Sequence, residues 1–263
     1  MSGLEEPGCA ECRGTGFVIV GTGGTTRARP CACRSPARGR DGGVEAFLEA
    51  ARIPPRYREC EFQNYAAYGD RAQIQSLDTA RGVALRYAEE YPLEERGLML
   101  MGPPGVGKTH LAVATLRRLL MDKGVNGLFC DVQDLLRQLQ GTFDRQSGLT
   151  ELDLLQPVLT TEVVVLDDLG GRQFSPWLEE TLAHIVTTRY NDRRATIVTT
   201  NYLDDPKDAR APTLRDRIGA RVRSRLHEMC HLIRIEAQDF RQSVNLADYH
   251  RAPERAGLPK AGA

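Results

Sequence analysis

Residues 102–109 read Gly102-Pro103-Pro104-Gly105-Val106-Gly107-Lys108-Thr109. A G-x-x-x-x-G-K-T octapeptide lets backbone N–H groups close on a polyphosphate, and glycine is required where a side chain would hold the backbone away. In such a loop Lys108 reaches the β- and γ-phosphates and Thr109 offers its hydroxyl to Mg²⁺. The neighbours of the loop suit that chemistry. Gly97–Met101 is an apolar run of strand length, and Leu111–Leu116 opens a helical pattern that continues to about Lys123. Strand, glycine loop and helix N-terminus in that order surround an anion.

A second set of chemical groups lies downstream. Val163–Asp167 is a continuous apolar run ending in an acid, and Asp168 follows it. A strand buried on both faces reads this way, and acids at its carboxyl end stand where open α/β sheets bind ligands. Asp167 has the place of a Mg²⁺-coordinating acid, and Asp168 that of the group that polarises a water against the γ-phosphate. The run Thr196–Thr200 ends in Asn201, whose amide has the place of a group holding that water; as a lone residue it reads equally as a strand-end turn. Arg215, Arg217, Arg221, Arg223 and Arg225 form a basic run. An arginine delivered to a neighbour's γ-phosphate stabilises transition-state charge. A solvated helix face and a contact to a nucleic-acid backbone are the other readings of the run.

Cys9-x-x-Cys12 and Cys31-x-Cys33 form a third group. Four thiolates meet the tetrahedral demand of Zn²⁺, and Gly14 and Gly16 allow the tight turns that aim N–H groups at sulfur. Free thiols in a disordered leader and an iron–sulfur cluster are the alternatives. Cys60, Cys130 and Cys230 sit in or beside predicted elements and read as packed apolar residues. His110 follows the phosphate loop and is expected on the helix surface or beside the bound nucleotide.

These groups have to be held by a fold. The chain has 263 residues, 41% apolar and 27% charged, with zero formal net charge, so bulk charge argues for no partner. Four of the 35 basic residues are lysines. No apolar stretch is long enough to cross a bilayer, and the N-terminus lacks a basic start and apolar core, so no membrane partner is expected and the cytoplasm is the expected compartment. Residues 1–40 are rich in Cys, Gly, Arg and Pro and are expected to be a small zinc-binding module. Residues 41–70 are expected to hold a helix near Val44–Ala51, a Pro-Pro break and an aromatic stretch. From residue 71 to about 245 the pattern alternates: helix 71–90, strand 97–101, helix, strand 127–131, helix 132–140, helix 151–159, strand 163–167, helix 176–190, strand 196–200 and strand 232–235. That alternation predicts an α/β fold with a five-stranded parallel sheet flanked by helices. Residues 246–263 are expected to be a disordered tail.

The order GPPGVGKT, VVVLDDLG, TIVTTN, RIGARVRSRL and DFR resembles AAA+ ATPases of the DnaC/DnaI helicase-loader and IstB transposition-helper branch. The resemblance implies a P-loop AAA+ core with a truncated lid, since residues 236–263 are too few for a full one. It implies ATP and Mg²⁺ at Gly102–Thr109, with Asp167 and Asp168 as the Walker B acids. It gives Asn201 the role of first sensor, Arg225 that of an arginine finger acting in trans, and Arg241 that of second sensor. Many AAA+ proteins carry Glu where this chain has Asp168. The stretch from Ile53 to Tyr65 is similar to the family's lead-in to the adenine pocket. DnaI-type loaders share the layout of a zinc module before the ATPase. The implied activity is ATP-dependent loading of a replicative DNA helicase onto single-stranded DNA. A transposition helper, or a nucleotide-gated interaction module with little turnover, are the other readings.

Overall fold

The computed structural model describes residues 17–22, 25–31, 44–94, 96–142, 150–171, 175–208 and 210–243. Cys9, Cys12, Cys33 and the 246–263 tail lie outside them; Cys31 is described and buried. A hairpin comes first, β1 (Phe17–Thr22) paired antiparallel with β2 (Thr25–Pro30). Helix α1 (Val44–Ala50), a single 3₁₀ turn at Pro55–Tyr57 and helix α2 (Arg71–Glu90) follow. Then the alternation begins: β3 (Gly97–Met101), α3 (Lys108–Lys123), β4 (Gly127–Asp131), α4 (Val132–Gly141), α5 (Glu151–Thr160), β5 (Val163–Asp167), α6 (Pro176–Asn191) and β6 (Ala195–Thr200). Helix α7 (Leu214–Met229), β7 (Cys230–Arg234) and a short α8 (Phe240–Ser243) complete the order.

The five strands β4-β5-β6-β3-β7 form one sheet, parallel at every pairing. The expected α/β architecture is therefore present. Every residue of β3, β5 and β6 is buried, because helices cover both faces. Period-two alternation divides the core: Leu98, Leu100, Val163 and Val165 pack with α2 and α3, while Met99, Met101, Val164 and Leu166 pack with α4, α5, α6 and α7.

Two elements differ from expectation. The last strand begins at Cys230, in register with Gly97, rather than at 232. Its first residues, Cys-His, carry no apolar run, and the parallel partner β3 decides the pairing. The arginine run is helix α7, broken by Gly219 at φ 76°, ψ 156°. A Cβ at Gly219 would lie 2.2 Å from Glu179 Oε1, so glycine lets α7 kink against α6.

Arg189 on α6 is 0% exposed. It donates to Val158 O (2.8 Å), Thr161 O (2.9 Å), Ala195 O (2.6 Å) and Thr196 Oγ1 (3.0 Å), tying the end of α5 and the start of β6 to α6. Burial pulls its pKa down to about 10. No described helix is long and apolar enough to cross a membrane.

Candidate active site

Strand order decides which chemical groups meet. β6 lies between β5 and β3, so Asp167, Asn201 and the phosphate loop leave three adjacent strands at one edge of the sheet. The chain crosses from β3 to the β4 side and later returns to place β7 on β3's other flank, which makes this a topological switch point. The loop is wound through positive φ at Gly102 (155°), Gly105 (79°) and Gly107 (85°). A Cβ at Gly107 would meet the Tyr65 ring at 2.5 Å, and one at Gly105 would meet Asp239 Oδ1 at 1.8 Å. Helices α2, α4, α5, α6 and α7 each have a side-chain N-cap; α3, which begins at Lys108, has none. Its first-turn N–H groups are left for a ligand.

Lys108 is 7% exposed and donates to Gly102 O (2.9 Å) and Pro103 O (2.8 Å). Burial pulls its pKa down to about 8, against the opposing pull of Asp167 and Asp168. Thr109 Oγ1 donates to Asp167 Oδ1 (2.9 Å), and Thr199 Oγ1 donates to the same oxygen (2.6 Å). Burial raises the Asp167 pKa above the ordinary carboxylate value; the two threonine hydrogen bonds lower it, and Asp131 and Asp168 add to the rise. Asp168 sits at φ 55°, with its N–H donating to Thr199 Oγ1 (2.9 Å). Asn201 Nδ2 donates to Asp168 Oδ1 (3.0 Å) and Gln133 Nε2 to Asp168 O (3.2 Å). Burial, then Asp131, raises the Asp168 pKa, and Lys108 lowers it.

A cleft of about 570 Å³ opens over these groups, in the size range of small-molecule sites. The loop and Asp131, Asp167, Asp168 and Asn201 line one part of it; Arg56, Tyr57, Cys60, Tyr65 and Tyr68 form a wall, which Phe240 joins edge-on to Tyr68 at 5.1 Å, and Arg241 also lines the cleft. Tyr65 OH donates to Val106 O (2.9 Å) and Tyr68 OH to Gln238 O (2.6 Å), so the lead-in is bonded to both the loop and the C-terminal segment. His110 is half-buried rather than on the helix surface: its Nε2 lies 2.8 Å from Glu61 O and its ring meets Tyr65 edge-on at 5.4 Å.

The residues present fit a magnesium nucleotide. A buried ammonium satisfied by two loop carbonyls, an uncapped helix start and a hydroxyl–carboxylate pair are the donor set for phosphates and a hard dication. Lys108, Thr109, Asp167, Asp168 and Asn201 are brought together, and Arg241 lines the same cleft. Arg225 does not join them. It stands one turn before the end of α7, toward the edge of the sheet where β7 begins, with its guanidinium 5.9 Å from the Tyr190 ring centroid. Sequence reasoning missed Thr199, which joins the two acids through one hydroxyl, Gln133 and Asp131. Thr199 lay inside a strand run and Gln133 in a helical run, neither with a local signal; Asp131 ends the expected strand 127–131 in an acid, the signal that marked Asp167. Among the described residues no group of three or more His, Cys, Asp or Glu is placed to hold a metal ion.

Residues 40–247 match the family described as IstB-like ATP binding protein. Replicative helicase loader DnaC from Escherichia coli (strain K12) is 32% identical over 149 residues, 57% of this chain and 58% of that protein. The aligned region thus spans less than two thirds of that relative's length. Replicative helicase loader DnaC from Buchnera aphidicola subsp. Schizaphis graminum (strain Sg) is 30% identical over 78% of this chain and 79% of its own. Among solved structures, one titled as the DnaC helicase loader superposes with a TM-score of 0.59 at 36% identity, covering 70% of this chain and all of that one. A replication initiator DnaA bound to AMPPCP and single-stranded DNA shares the fold at TM-score 0.54 and 17% identity.

Proposed function

Because this chain belongs to the IstB-like ATP binding protein family, we propose that it hydrolyses ATP with Mg²⁺ and loads a replicative DNA helicase onto single-stranded DNA. The observation that carries this reading is the single cluster formed by Lys108, Thr109, Asp167, Asp168 and Asn201 in a chain similar to DnaC loaders. On binding, the polyphosphate replaces the Gly102 and Pro103 carbonyls as partner of Lys108, and the open N–H groups of α3 close on it. Thr109 and Asp167 would hold Mg²⁺, which supplies charge neutralisation on the phosphate oxygens. Asn201 and Thr199 fix the Asp168 carboxylate and backbone from β6, so that the carboxylate orients the attacking water and accepts its proton. Arg241 lines the cleft to contact phosphate from the same chain. Arg225, away from its own cleft, serves the cleft of a second copy.

The test is assembly and loading. Purified protein should bind the host's replicative helicase and increase its deposition on single-stranded DNA when ATP is present. Arg225→Ala should abolish turnover, a loss of about 10³-fold or more, while leaving nucleotide affinity of the subunit nearly unchanged. Absence of any helicase complex or loading overturns the reading. The motif resemblance to the IstB branch leaves a helper role in transposition as the second reading; stimulation of a transposase without effect on the helicase would favour it. For residues 1–40 the proposal includes one Zn²⁺ held by Cys9, Cys12, Cys31 and Cys33, supported by their spacing. Metal analysis should return one zinc per chain, lost in Cys9→Ser.

A further inference from the structure

We propose that Asp204, in the loop after β6, is the positioning residue for Arg225: it clamps the far side of α7 and so fixes the direction in which Arg225 is presented to a second copy. The inference rests on the trans role proposed for Arg225 and names what holds that side chain in place. Asp204 divides its carboxylate between two residues of α7. Oδ1 accepts from Arg223 Nε, and Oδ2 lies 2.6 Å from His227 Nε2, a close polar contact without the alignment of a hydrogen bond. All three side chains are half-buried.

Helix geometry turns that clamp into a constraint on Arg225. Arg223 and His227 are four residues apart and share one face of α7. Arg225 lies midway between them in sequence and, at about 100° per residue, leaves the helix roughly 160° away from both. The buried stripe of Ile218, Val222 and Leu226 separates the two sides. A carboxylate that grips one side therefore fixes the rotation of the helix about its axis, and with it the direction of Arg225. Arg225 has no such grip of its own. The Tyr190 ring centroid lies 5.9 Å from its guanidinium, and its Nε is buried without a hydrogen-bond partner among the described residues.

An outside anchor is needed because Gly219 breaks the backbone ladder of α7. Before the break, Leu214 N–H donates to Leu203 O at 2.8 Å, and the Arg217 guanidinium stands 4.5 Å over the Tyr202 ring centroid. The half after the break carries Arg225, and Asp204 holds it to the same loop. The loop in turn is fastened to the sheet. Asn201 Nδ2 donates to Asp168 Oδ1 at 3.0 Å, Tyr202 N–H donates to Thr200 Oγ1 at 3.2 Å, and Asp205 pairs with Arg234 of β7. Magnitudes say where such a clamp matters. An ion pair open to solvent adds little to stability, whereas a transition-state group misplaced by about 1 Å costs about 100-fold in rate.

The test mixes full-length subunits. Asp168→Asn subunits should bind ATP without turnover and act as donors of Arg225; Arg225→Ala subunits act as acceptors that hydrolyse only with a donated arginine. Mixing the two should restore an ATPase that neither shows alone. Asp204→Asn added to the donor should cut the restored rate about tenfold or more, while the same substitution in the acceptor should leave it within about twofold. Arg223→Leu in the donor, which leaves the loop itself unaltered, should repeat the donor-only loss. A fluorescent ATP analogue should bind every variant as it binds the parent. If the mixture is inactive, the trans role itself fails and this inference falls with it. If the mixture is active and the Asp204→Asn donor restores the rate as well as its parent, this inference alone is overturned. Equal loss in donor and acceptor also overturns it, because a role in folding or in its own cleft acts on both sides.

Discussion

Lys108 carries a testable sign. Its pKa of about 8 lies below the ordinary lysine value because burial penalises the ammonium. A polyphosphate favours that ammonium and raises the pKa, so binding takes up a proton at any pH between the two values. Affinity for ATP is therefore complete below about pH 8 and falls roughly tenfold per unit above it. Calorimetry with EDTA present, in two buffers of different protonation enthalpy at pH 8.5, should detect proton uptake; a flat affinity from pH 7 to 9 would contradict it. Thr199→Val removes the hydroxyl that Asp167 and the Asp168 N–H share. Turnover should fall about 10–100-fold with nucleotide affinity little changed; equal loss of both would show that Thr199 serves binding. The sequence made Lys108, Thr109 and the two acids legible because their meaning is carried by local spacing. Thr199 was hidden inside a strand run, since its role depends on which strand stands beside β5.

The elements divide in the same way. The buried strands β3, β5 and β6 announced themselves as apolar runs, and the phosphate loop by its glycines. Gly107 is required twice, by its φ of 85° and by the Tyr65 ring that a Cβ would meet at 2.5 Å. Gly107→Ala should stay folded, with the strained loop costing about 1–2 kcal/mol and a measurable loss of ATP affinity. Adding Tyr65→Leu should restore only part of it, because the backbone strain remains. Arg189 lies in the run expected as helix 176–190, where nothing local marks it; its full burial depends on carbonyls at the end of α5 and the start of β6. Arg189→Leu strands those carbonyls and should cost about 3 kcal/mol or more in denaturant unfolding. Gly219 lies in the arginine run, for which a solvated helix face was one of three readings, and its kink depends on Glu179 of the neighbouring helix.

At the scale of the molecule, alternation predicted a parallel sheet and the strand order stayed hidden. Order depends on crossovers, which leave no periodic trace. The observed order lays three functional segments side by side along one edge. The order also sets when the molecule can work. β3, which leads into the phosphate loop, pairs only with β6 and β7, strands made far later in the chain. Gly102 and Gly105 are closed in by Ile235 and Asp239, and Phe240 N–H donates to Gly105 O at 3.2 Å. A chain ending at residue 229 should therefore fail to bind ATP. During synthesis the loop emerges early yet waits for β7 and the segment after it, so a nascent chain that has not yet made residues 230–240 cannot take nucleotide.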